Sequence, residues 1–331
     1  LDSNTTAANN VAVGANALQA NTTGASNTAL GMQALYANTT ANSNVAVGEN
    51  AMVANTTGTQ NVAVGASSLD ANTTGDYNTA LGFRALTANT TADSNVAVGY
   101  DSLKANTTGT NNVAVGAAAL DANTTASSNT AIGQGSMSSN TTGANNAALG
   151  AASFFTNTTG ASNTALGQAA LYASTTGDDN TAVGKSALVT NTTGYANTAV
   201  GKDALYTNAT GIRNTAIGKG ALYNNAASYL TALGYNALHA NTTGTENTAV
   251  GAFSGDALTT GAQNTAVGYG ALTSATTGNR NVAVGSNALD ALTTTHYNIA
   301  IGDNALGANT GTGNVGIGDA ALTANTTANY N

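Results

Sequence analysis

The 331-residue sequence has no cysteine, no proline and no tryptophan, and only 7% of its residues are charged. Without cysteine there is no disulfide, no thiolate chemistry and no cysteine-held metal. An average chain of this length carries about 16 prolines. Proline removes a backbone donor, so its absence points to a chain whose N–H groups nearly all enter a hydrogen-bonded ladder. The net charge of −8 disfavours nucleic acid, which is held by a basic surface. There is no run of 18 apolar residues, and the opening LDSNTTAANN has no signal-peptide pattern, so no membrane-spanning segment is expected within this stretch.

What is present is mostly Asn, Thr, Ala and Gly, arranged with a period. Gly14, Gly31, Gly48 and their successors recur every 17 residues to Gly318, 19 copies in all, with two spacings of 16 at Gly218 to Gly234 and Gly302 to Gly318. Counted from its asparagine, the unit reads N-[TV]-A-[VLI]-G-x-x-[AS]-L-x-A-N-T-T-[GA]-x-x, so Asn180 is position 1 and Ala196 position 17. Gly, Asn and Thr interrupt every candidate helix. The NTAVG and ALxANTT runs read as two short strands per coil, separated by turns. A period this short predicts an all-β, single-stranded β-solenoid in which residues 1–331 form one repeat domain. At a strand spacing of ~4.8 Å its coils give a rod on the order of 90 Å long.

Stacking places each residue over its counterpart, so side chains form columns and asparagines bond along them. Position 4 is Val, Leu or Ile throughout, and position 9 is Leu in fifteen coils, Met at 52 and 137, Phe at 154 and Gly at 255. These two columns are expected to form the core. Position 3 is Ala in 18 of 19 copies. Either it points outward and is kept small by another surface, implying a trimer or laterally packed filament, or it fills a tight inner corner. Neither end has an atypical capping segment, so the chain reads as part of a longer fibre or as a unit stacking end to end.

NVAVG (Asn10 to Gly14) and NTAIG (Asn129 to Gly133) resemble the head repeats of trimeric autotransporter adhesins, and NTAVGKSALVTNTTG (Asn180 to Gly194) is similar to repeats of phage-type tail fibres. The resemblance covers essentially the whole chain. It implies a left-handed β-roll, a homotrimer, a cell-surface or extracellular location and a role in attachment. The coils here are a few residues longer than those of the usual adhesin head.

Departures from the repeat point to binding. Position 6 is Lys185, Lys202 and Lys219 in successive coils, with Arg213 nearby, and position 10 reads Phe155, Tyr172, Val189, Tyr206 and Tyr223 over the same stretch. Cations beside aromatic rings suit a surface glycan or an anionic polysaccharide; drift on exposed turns with aromatic stacking is the plainer reading. The N-x-[ST] sequon occurs fourteen times. Candidate N-glycosylation sites include Asn21, Asn38, Asn55, Asn72, Asn89, Asn106, Asn123, Asn140, Asn157, Asn191, Asn208 and Asn241. Sugars on rungs ~4.8 Å apart would collide, and the repeat already needs asparagine as a ladder residue.

His239 and His296 lie more than three coils apart, and the position-10 aspartates Asp70, Asp121, Asp256 and Asp290 are scattered. No enzyme, cofactor or metal site is expected. The sequence favours an extracellular structural fibre or adhesin segment. An end-to-end filament or sheath subunit and an ice-binding solenoid are the alternatives. The last is suggested by position-2 threonines from Thr28 to Thr265, although Val11, Val45, Val62, Val96 and Val113 interrupt them.

Overall fold

The computed structural model describes residues 2–331, which fall into two compact units, the first ending at Asn163 and the second running from Thr164 to Asn331. Each unit is a parallel β-solenoid. The first contributes nine three-residue strands, from β1 (Val11–Val13) to β9 (Ala147–Leu149), and the second ten, from β10 (Thr164–Leu166) to β19 (Val315–Ile317). Within each unit every strand pairs in parallel with the strand of the next coil. Equivalent positions face one another, as in Thr181↔Thr198, Ala182↔Ala199 and Val183↔Val200.

Each coil has one strand, at positions 2–4. The ALxANTT run, expected to be a second strand, is instead a series of tight bends. Its backbone turns left-handed at positions 7 and 9, as at Asn50 (φ 55°) and Leu69 (φ 52°). Alternation of left- and right-handed residues folds the chain back in a few steps, whereas a strand would carry it straight on.

The second correction concerns which face is inside. Column 3 alanines are buried, with Ala29, Ala46 and Ala199 at 0% exposure, whereas in column 4 Val13 is 55% and Leu30 46% exposed. Position 4 is therefore not core, and position 3 does not face outward. The interior consists of column 3 packed against the Ala or Ser of column 8 and the leucine of column 9. At Gly316, the one glycine of column 3, an added methyl would fall 2.9 Å from Leu306 Cγ. In most coils the interior holds one large side chain, usually the column-9 leucine. The strand's second residue must then be alanine.

Position 5 turns the corner out of the strand. Gly31 has φ 137°, and a Cβ there would fall 2.5 Å from the carbonyl oxygen of Gly48 in the next coil. Backbone angle and backbone clash together exclude every other residue. Both 16-residue coils drop a residue at the corner after position 12. Asn225 and Asn309 then bond two residues ahead instead of three, to the carbonyls of Ala227 and Gly311. The strand register is undisturbed across the first of these, Thr215↔Thr231.

Two asparagine columns close the interior. The position-1 side chain donates to the position-15 carbonyl of its own coil and accepts the position-1 N–H of the next. Asn27 shows both bonds: Nδ2 to Ala41 O at 2.8 Å, and Asn44 N–H to its Oδ1 at 3.0 Å. The position-12 asparagines donate to one another along the column, Asn38 Nδ2 to Asn21 Oδ1 at 2.8 Å and Asn72 Nδ2 to Asn55 Oδ1 at 2.8 Å. Buried amides that would be costly if unpaired thus become the ties between coils.

Candidate functional site

Because column 3 points inward, columns 2 and 4 both point out. Column 2 is Thr or Val in all but two coils, which carry Ala147 and Ile299, and column 4 is always Val, Leu or Ile. Neither column contains a charge. In each unit the strands present a flat, uncharged strip. With strands ~4.8 Å apart and residues ~3.3 Å apart, the strip of the nine-strand first unit covers on the order of 400 Å². Leu149 (46%) in the first unit and Leu233 (44%) in the second remain largely open. An apolar patch of this extent on a single chain often marks a contact surface.

The predicted glycan or anion residues fall in both units. Phe155 belongs to the first unit and Tyr172, Tyr206 and Tyr223 to the second. Tyr206 and Tyr223 stack with centroids 4.8 Å apart and planes 6° apart, and Tyr223 continues onto His239 at 5.2 Å and 15°. Their faces cover one another, so what they offer outward is largely a ladder of ring edges. That geometry suits rung-to-rung stacking better than a sugar face laid on a ring.

The lysines are partly occupied. Lys202 Nζ lies 3.5 Å from Asp203 Oδ2, and Lys219 Nζ lies 5.6 Å from the Tyr235 ring centroid. Lys185 is exposed. Arg213 stands in column 17, across the strand from the lysine column, with its guanidinium carbon 5.9 Å from the Tyr195 centroid and 5.8 Å from that of Tyr229.

All twelve candidate glycosylation asparagines, from Asn21 through Asn38, Asn55, Asn72, Asn89, Asn106, Asn123, Asn140, Asn157, Asn191 and Asn208 to Asn241, are at 0% exposure. Their amides are committed inside; Asn55 Nδ2, for example, donates to Asn38 Oδ1 and to Gly58 O. A sugar on any of them would have to displace the coil that encloses it. The folded solenoid offers none of these nitrogens to a transferase.

The scattered position-10 aspartates are half-buried. Burial pushes the carboxyls of Asp70, Asp256 and Asp290 above the usual carboxylate range, against lowering backbone hydrogen bonds. Among the described residues no three His, Asp or Glu side chains come close enough to share a metal ion, and no helix is long and apolar enough to cross a membrane.

One cluster escaped the sequence reading. Glu246, Gln263, Arg280 and Tyr297 occupy column 17 of four successive coils, with Asn279 and His296 beside them in column 16. A polar run at fixed spacing was the available signal, masked because positions 16 and 17 vary freely elsewhere. In comparisons with known proteins, no family model matches the chain and no curated protein is significantly similar to it.

Proposed function

We propose that this chain is a structural segment of an extracellular attachment fibre, assembling with copies of itself through the strand face formed by columns 2 and 4. The observation that carries this reading is the uncharged, outward aliphatic strip, continuous within each unit, over a core that alanine and leucine already close. A second copy has the same rung spacing and the same side chains, so two strips can meet in register, aliphatic against aliphatic and threonine hydroxyl against threonine hydroxyl. A homotrimer around the strip is the assembly closest to the adhesin-head resemblance, and lateral filaments use the same contact. The remaining faces, with their lysine column, are then turned outward to anionic surface glycans.

The test is the molar mass of the chain in solution by light scattering. An assembled fibre segment runs at a multiple of the 32.1 kDa chain mass. A Val200→Lys, Ile217→Lys double variant, which places two ammonium groups in column 4, returns it to a single chain that still folds. A wild-type chain that stays monomeric at high concentration contradicts the proposal.

A second reading has one specific observation in its favour. The valine interruptions to column 2 noted in the sequence lie in the first unit, whereas in the second unit seven consecutive strands begin with threonine, from Thr164 to Thr265. A flat, regular threonine array is what an ice-binding face needs. A thermal-hysteresis measurement on the full chain that gives no effect removes this reading and leaves self-association untouched.

A further inference from the structure

We propose that Arg280 and His296 form a binding site for a small oxyanion, of the carboxylate, sulfate or phosphate type. The site is independent of the strand face and lies on column 17 and column 16 of the second unit.

Arg280 is held rather than free. Its Nε donates to Gln263 Oε1 at 2.8 Å and its Nη1 to the Tyr297 hydroxyl at 3.0 Å, with the guanidinium carbon 5.6 Å from the Tyr297 centroid. Gln263 is fixed in turn, since its Nε2 donates to Glu246 Oε2 at 2.9 Å. Two of the five guanidinium N–H bonds are therefore used, and the remainder keep a set direction.

His296 supplies a second oriented donor. The backbone N–H of Asn279 donates to His296 Nδ1 at 2.9 Å. An Nδ1 that accepts leaves the ring proton on Nε2. Arg280, His296, Gln263, Asn279 and Tyr297 together line an open cavity of about 320 Å³.

Charge is unsatisfied there. Among the described residues the ion pairs are Arg84–Asp101, Lys104–Asp101 and Lys202–Asp203, so Arg280 has no carboxylate partner. Of the two acids in its column, Asp179 lies six coils away, and Glu246, two coils away, is engaged by Gln263. A pre-oriented guanidinium without a counterion, beside an N–H donor at a concave surface, fits an oxyanion's paired acceptors. Arg213 marks the contrast. It occupies the same column and bonds the Tyr229 hydroxyl at 3.4 Å, but no histidine stands beside it and rings flank it on both sides.

The experiment titrates the full chain with inorganic sulfate, and separately with polygalacturonate, following the Asn279 amide and Arg280 Nε resonances by NMR. The expected result is saturable binding that weakens at least about tenfold in Arg280→Gln, several-fold in His296→Gln, and not at all in Arg213→Gln. Arg280→Lys, which keeps the charge and loses the fork, is expected to bind more weakly than the wild type. Tighter binding of polygalacturonate than of sulfate identifies a polymer as the source of the anion; equal affinity per anion identifies the free ion. Three outcomes overturn the proposal: no saturable shift, affinity unchanged in both Arg280→Gln and His296→Gln, or an equal loss in Arg213→Gln, which would mean that diffuse charge does the binding.

Discussion

Leu35, Leu69 and Leu188 each sit at φ 52°, a conformation that costs an L-residue about 1–2 kcal/mol. Each is also fully buried, and burying a leucine returns about 1.5–3 kcal/mol. The second magnitude wins, so column 9 holds leucine where local preference asks for glycine or asparagine. This is why ALxANTT could not be recognised as a bend from its residues, since nothing in a leucine announces a left-handed backbone. The strand's inward face was hidden for a related reason. With alanine flanked by larger aliphatics, size suggests that the larger ones are core, and only the narrowness of the interior reverses it. Two substitutions separate the assignments. Ala199→Val forces two extra methyl groups against column 9 and is expected to cost about 1–3 kcal/mol. Val200→Ala, on the outer face, is expected to change single-chain stability by no more than about 0.5 kcal/mol; denaturant unfolding in the monomeric background reads both. Asp256 adds a pH prediction. Its Oδ1 is buried with no hydrogen-bond partner, and burial, opposed by the Ala257 backbone and by His239, raises its carboxyl. A raised folded value favours the protonated form, so the contribution to stability is present in acid and lost as pH rises through that value. Asp256→Asn is therefore expected to melt higher than the wild type at pH 7, with the gap closing as pH falls through the carboxylate range.

At the scale of the coil, one departure from the repeat is compensated by another. The coil starting at Asn247 carries Gly255 where others have the core leucine, and Leu258 where others have the ladder asparagine. These two departures are one event. A Cβ on Gly255 would fall 3.0 Å from Leu258 Cδ1 and 3.1 Å from Leu238 Cδ2, so Leu258 fills from position 12 the space that position 9 has vacated. The exchange has a polar consequence, because Asn241 Oδ1, which would accept from an asparagine at 258, is buried and unpartnered. Leu258→Asn alone satisfies Asn241 and opens a cavity, and is expected to cost about 2–5 kcal/mol. Gly255→Leu alone overpacks and is expected to cost about 1–3 kcal/mol. The double variant recreates the common coil and is expected to be at least as stable as the wild type, giving a coupling of several kcal/mol in a double-mutant cycle. Independent, additive losses would mean that the two positions do not share space. The 17-residue period and the glycine corner were legible because every coil repeats them. The Arg280 cluster was not, since columns 16 and 17 vary freely from coil to coil and only folding sets His296 and Tyr297 of one coil against Asn279 and Arg280 of the coil before.

At the scale of the whole molecule, most of the chain is spent on sameness: backbone paired to backbone, asparagine to asparagine, and in most coils a single large side chain inside. What remains for function is what faces out. The charge-free strand strip and the few ordered cations have opposite chemistry, which is why one is assigned to copies of the chain and the other to anions. The lack of cysteine in the sequence makes a direct test of the strip available. A single cysteine at Ile217→Cys lies on column 4, and one at Thr210→Cys lies on the exposed corner of the neighbouring coil, both at positions open to solvent in the single chain. The rate at which a small thiol reagent labels each, measured in the full chain at assembling concentration, decides the matter. Self-association through the strand face predicts that the cysteine at 217 is labelled many-fold more slowly than the one at 210, and that dilution removes the difference. Equal labelling at every concentration would contradict it.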